Sequence, residues 1–136
     1  MKTLHFSAVL VLAVLVGAAA VSAEGAHVAK GKKGNVRKVV TVANPKVWNG
    51  KAPAHLKFTG TIFVNNPPVE VEYTWIRSDG AKSPVEKVTI ASAGQGFTDT
   101  WDVGGAGEHL RVWERLEVIS PNKASSNPAF VTVNCK

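Results

Sequence analysis

Along Val69–Ala81 apolar and polar positions alternate with a period of two. Val69, Val71, Tyr73 and Trp75 fall on one side, and Glu70, Glu72 and Thr74 on the other. Successive side chains of an extended strand point to opposite faces of a sheet, so this alternation predicts a strand with one face buried. Asp79-Gly80 closes it, because Asp can bond its own downstream backbone and Gly takes positive φ freely. The same rhythm recurs in Leu56, Phe58, Gly60, Ile62 and Val64, and more weakly in Val88 and Ile90. It returns in Phe97, Trp101 and Val103, in Leu110, Val112, Leu116 and Val118, and in Val131, Val133 and Cys135. A first strand covers Val36 to Val42, is interrupted by Asn44-Pro45 and resumes at Val47-Trp48 before the turn pair Asn49-Gly50. Proline cannot donate into a ladder, which places this strand at a sheet edge.

About seven strands, separated by turn-forming residues and without sustained helical periodicity, predict an all-β fold. The expected architecture is an immunoglobulin-like antiparallel β-sandwich over residues 35–136. Trp75 and Trp101 are read as core, the first as the large ring between two sheets. Glu114 breaks the pattern, since it shares the parity of Leu110 and Leu116 while Trp113 takes the other. Either a β-bulge near Trp113 shifts the phase, or Glu114 points inward and requires a partner.

The first 23 residues change the domain picture. Lys2, an apolar run from Val9 to Val16 and the small residues Val21-Ser22-Ala23 match a secretory signal peptide. The run is short for a membrane span. Residues 24–34 (EGAHVAKGKKG) have little apolar bulk and read as a flexible basic tail. No later stretch is apolar enough to cross a bilayer, so no transmembrane span is expected after cleavage. The net charge of +6 is unevenly placed: Gly25 to Val69 holds eight Lys or Arg and no acid, whereas Glu70 to Lys136 holds seven bases and nine acids. A basic front half on an exported chain suits anionic surfaces, or else simply solvates a terminus and sheet edges. Cys135 is the single cysteine; it is either buried and inert or free to pair with another molecule, and the parity it shares with Val131 and Val133 favours the first.

Candidate chemistry is sparse. The sequence has no Gly-x-Ser-x-Gly elbow, and His27, His55 and His109 lack metal-ligand spacing. Glu70 and Glu72, about 7 Å apart on one strand face, have a separation known from glycosidases, but any strand of this alternation produces it. Gly104–Gly107 lacks the Lys-Ser/Thr of a phosphate loop and precedes a strand. The expectation is therefore a non-enzyme without metal or cofactor. Lys30, Lys32, Lys33, Arg37 and Lys38, with Trp48 and Trp113, are the candidate ligand-contacting residues. An exposed pair of those tryptophans would suit stacking on a sugar or docking of a protein.

Phe58-Thr-Gly-Thr-Ile62, Val71–Ala81, Thr100-Trp101 and the Pro121–Cys135 ending carry a resemblance. The chain resembles a group of small secreted bacterial proteins with an immunoglobulin-like β-sandwich, mostly without established activity. The resemblance covers the folded part and implies the fold and export. It also implies a Cys-Pro before the second strand, bridged to the C-terminal Cys; here that position reads Ala52-Pro53. Such a bridge would contribute about 4 to 5 kcal/mol by restricting the unfolded chain. The resulting expectation is a secreted or periplasmic monomer that acts as a binding or structural module. Its partner would be a protein or an anionic envelope polymer, and not nucleic acid. Alternatives are recognition of an anionic glycan through the basic N-terminal half, and inhibition of an exported hydrolase.

Overall fold

A computed structural model describes residues 32–136. The expected signal peptide, most of the expected tail, His27 and Lys30 lie outside the described residues. Nine strands appear: β1 (Asn35–Asn44), β2 (Val47–Gly50), β3 (Ala54–Asn65), β4 (Val69–Arg77), β5 (Glu86–Ile90), β6 (Gly94–Val103), β7 (His109–Ser120), β8 (Ala124–Ser125) and β9 (Ala129–Cys135). They form two sheets, β1-β3-β6 and β2-β9-β7-β4-β5, with β8 on β7. The described part is an all-β sandwich with no helix, so none of it is a helix long and apolar enough to cross a membrane.

Alternation places the core where the sequence puts it. Leu56, Phe58, Ile62 and Val64 of β3 face Val71, Tyr73 and Trp75 of β4, Leu116 and Val118 of β7 and Val131 and Val133 of β9, all buried. Trp75 fits because β3 carries Gly60 opposite it. A Cβ on Gly60 would stand 2.9 Å from Cη2 of Trp75 and 2.6 Å from a Leu116 methyl. The turn after β4 forms as its residues dictate: Gly80 has φ +89°, and the Ala81 amide donates to Asp79 Oδ1 at 2.8 Å.

The count of seven strands is corrected to nine, and the reason is local. Val47–Gly50 does not resume β1. The chain changes sheets at Asn44–Lys46, and β2 pairs in parallel with β9 while β1 pairs antiparallel with β3. The short β8 is the other addition. The phase shift in β7 is also displaced. It falls at Ile119, left between the pairs Glu72–Ser120 and Tyr73–Val118, and no bulge occurs near Trp113. Glu114 therefore points inward, fully buried. A second irregularity, between the pairs Val36–Val64 and Lys38–Phe63, leaves Arg37 extra. It turns both Arg37 and Lys38 outward while Val36 and Val39 stay buried.

Cys135 is buried, and its register partner Gly50 lies just before Ala52, which packs on the same core.

Candidate functional site

Of the seven residues singled out by sequence, six are described. Lys32 and Lys33 are exposed ahead of β1, and Arg37 and Lys38 are exposed on it. The Arg37 guanidinium stacks 5.2 Å from the centre of the Phe63 ring. Trp48 and Trp113 are both half-buried but do not form a pair. Trp48 is aligned with the core residue Val133 and Trp113 with the exposed Phe130. Val133 and Phe130 differ in parity on β9, so the two indoles sit on opposite faces of the larger sheet. Trp48 packs at the rim of the core, donates Nε1–H to Lys51 O at 3.2 Å and meets the edge of His55 at 5.7 Å.

Trp113 belongs to a surface that the sequence reading did not assemble. On the outer face of the larger sheet, β7 presents Arg111, Trp113 and Arg115 at alternate positions, and β9 presents Phe130 opposite Trp113. Arg111 lies 4.3 Å over the Phe130 ring and Arg115 lies 5.7 Å from the Trp113 centroid. Guanidinium stacked on an aromatic face keeps its N–H edge free to bond in plane, so these stacks orient the donors without consuming them. Arg115 is paired with Glu117 at 3.5 Å. Among the described residues Arg111 has no acidic partner within ion-pair distance. Phe130 remains 45% exposed, a large unburied ring on the sheet surface. Beside it a cavity of about 300 Å³ opens between β1 and β9, lined by Thr41, Val42, Ala43, Lys46, Ala129 and Phe130. For Phe130 the signal available in the sequence was its parity, opposite to that of Val131 and Val133. What the sequence withheld was its stacking partner, because Arg111 and Phe130 meet only through the β7–β9 register.

The inner face carries a second polar group. Arg77 and Glu114 are register partners on β4 and β7, and Asp99 faces them from β6 of the other sheet. Arg77 Nη2 donates to Asp99 Oδ2 at 3.1 Å and to Thr100 O at 3.0 Å, and its guanidinium lies 5.1 Å from the Trp101 centroid. Its Nε is 3.7 Å from Glu114 Oε2, close enough for ionic attraction but long for a hydrogen bond. Neither Glu114 oxygen has a hydrogen-bond partner. Burial pushes the Glu114 pKa up to about 9; the nearby Asp99 carboxylate adds to this, and Arg77 draws it down without reversing it. Glu114 is thus a neutral acid at neutral pH, which is how the interior tolerates a second carboxyl beside Asp99. A cavity of about 300 Å³ lined by Arg77, Lys82, Ser83, Pro84 and Asp99 opens at this end of the sandwich.

Elsewhere on the surface, His55 bonds Asp102 at 2.8 Å, His109 bonds Asn134 at 2.8 Å, and Glu70 pairs with Lys87 at 3.2 Å. Tyr73 donates to Glu86 at 2.7 Å, and burial, reinforced by Glu86, raises its pKa. No three His, Cys, Asp or Glu side chains among the described residues are grouped to hold a metal ion. No protein-family model matches the chain, and no curated protein matches it.

Proposed function

We propose that this chain is an exported, non-catalytic binding module of immunoglobulin-like type, secreted or periplasmic, that engages its partner through the outer face of the larger sheet. The immunoglobulin-like reading is supported by two facing sheets packed around a central buried tryptophan on β4 and by the sequence resemblance. Export is supported by the Lys2-to-Ala23 pattern.

The observation that carries the binding reading is the stacking of Arg111 on Phe130 and of Arg115 on Trp113 on the outer face of the larger sheet. Tryptophan and arginine dominate the energetics of protein interfaces, and phenylalanine is enriched there. The non-catalytic reading rests on the interior cluster being turned on itself, with Arg77 Nη2 committed to Asp99 and Thr100.

The chain should be recovered from the periplasm and medium of its host, and its mature N-terminus sequenced. Material that co-purifies with the wild type should then be compared with that from a Phe130→Asp variant. A mature start near residue 24, and a partner lost on substitution, are expected. Retention of the intact N-terminus would sink the export reading. A partner unaffected by Phe130→Asp would sink the assignment of the face.

A second reading, recognition of an anionic polymer by the smaller sheet, is favoured by the β1 bulge that turns Arg37 and Lys38 outward together. Retention of the wild type on an acidic polysaccharide column at low salt, lost in an Arg37→Ala/Lys38→Ala variant, is its expected outcome.

A further inference from the structure

The charge and shape around Phe130 say more than that something binds there. Two cations flank the ring: Arg111 stacks on it, and Lys46 shares the wall of the adjoining cavity. Neither has an ionic partner among the described residues, and no acid lines the cavity. The rest of the wall is Val42, Ala43, Ala129 and Thr41. Val42 and Val47 are each 53% exposed nearby, a local excess of unburied aliphatic surface.

We infer that this cavity and its two flanking cations dock an acidic, extended segment of another protein, with one apolar side chain seated against Phe130 and carboxylates on Lys46 and Arg111. Complementary charge and an apolar socket are required together. The exposed apolar surface here is that of Val42 and Phe130, Ala43 and Ala129 being buried; it suits an aliphatic or aromatic anchor, which a hydroxyl-rich sugar does not supply. The ring argues the same way: Arg111 stacks on Phe130 and, unlike Arg115, which is paired with Glu117, has no acidic partner among the described residues, so its guanidinium edge is suited to a carboxylate. This inference rests on the binding-module reading and adds the chemical class of the partner.

The test uses the chain purified from its host and labelled octapeptides with alternating Asp or Glu around one central Leu, Phe or Trp. The same peptides with central Ser, and with Lys for the acids, are controls. Fluorescence anisotropy should show saturable binding of the anchored acidic peptides. Affinity should fall about tenfold with central Ser and about tenfold in a Lys46→Glu/Arg111→Glu variant. Binding should weaken between 50 and 500 mM salt, on the order of a Debye-length change at exposed charges. Both substituted residues are exposed, and an unchanged melting temperature separates lost docking from lost fold.

Equal binding with and without the central apolar residue overturns the proposal, as does binding of polygalacturonate but of no peptide. So does a sedimentation profile showing the face filled by a second copy. A host partner lost on Phe130→Asp while no acidic peptide binds would leave the module reading standing and remove this one.

Discussion

Arg77 and Arg111 lie on the two faces of one sheet, and their surroundings differ in almost every respect. Arg77 points between the sheets, holds Asp99 and a β6 carbonyl, and stands beside a buried acid. Arg111 points to solvent, rests on an aromatic ring and has no acid beside it among the described residues. The first closes a polar gap that the fold itself created by putting Glu114 and Asp99 inward. The second is a cation oriented by the fold but not neutralised by it. A residue whose charge is already answered maintains structure; one held in place with its donors unanswered is available to a partner.

Between the two arginines, removing the inner guanidinium should have the larger effect. Arg77→Ala leaves Asp99 without its donor and exposes the Thr100 carbonyl, at a cost of about 2 kcal/mol, moderated because Arg77 is partly solvent-accessible. Arg111→Ala should change stability by less than about 0.5 kcal/mol. Urea denaturation of the two variants side by side checks the contrast, and equal losses would break it.

Glu114 sharpens the same contrast through pH. Its carboxyl holds its proton in the folded state up to about pH 9, whereas the unfolded chain loses it near 4.5. The folded state therefore binds the extra proton between those values, and the contribution of this group to stability falls as pH rises through that window. Glu114→Gln should match the wild type near pH 4 and gain on it steadily toward pH 9, read as melting temperature against pH. Asp99→Asn should move the upper end of that window downward, because Asp99 helps to hold the Glu114 proton. A pH-independent difference between Gln and Glu would mean that the buried acid is charged throughout.

On the outer face the expected change is smallest. Phe130→Ala should cost about 0.5 kcal/mol through loss of the Arg111 stack and the cross-strand contact with Trp113. Its near-ultraviolet dichroism should be otherwise native. A loss of several kcal/mol would make Phe130 a packing residue and the stripe a piece of the core.

Much of this architecture was legible because burial on one side of a strand writes itself as a two-residue rhythm. Leu56–Val64, Val69–Trp75 and Leu110–Val118 could be assigned to faces from that rhythm alone. Glu114 was legible as a break in the rhythm, left between a bulge near Trp113 and an inward acid; the choice between them and the partner were not legible. Arg77 is its neighbour only through the β4–β7 register, and Asp99 only across the gap between sheets. Irregularities were harder to place, since a bulge at Arg37 or Ile119 depends on how two distant strands align. Trp48 and Trp113 looked equivalent in sequence because nothing local says that β2 joins β9 in parallel and so turns one indole inward.

The parallel pairing of β2 with β9 bears on how the molecule should answer a pulling force. Tension applied through the start of β2 and the end of β9 would load the hydrogen bonds from Val47–Thr132 to Gly50–Cys135 in shear, all together, and not one after another as in peeling a hairpin. The expected outcome in single-molecule stretching is a high rupture force that drops when this short clamp is interrupted, for example by proline at position 48.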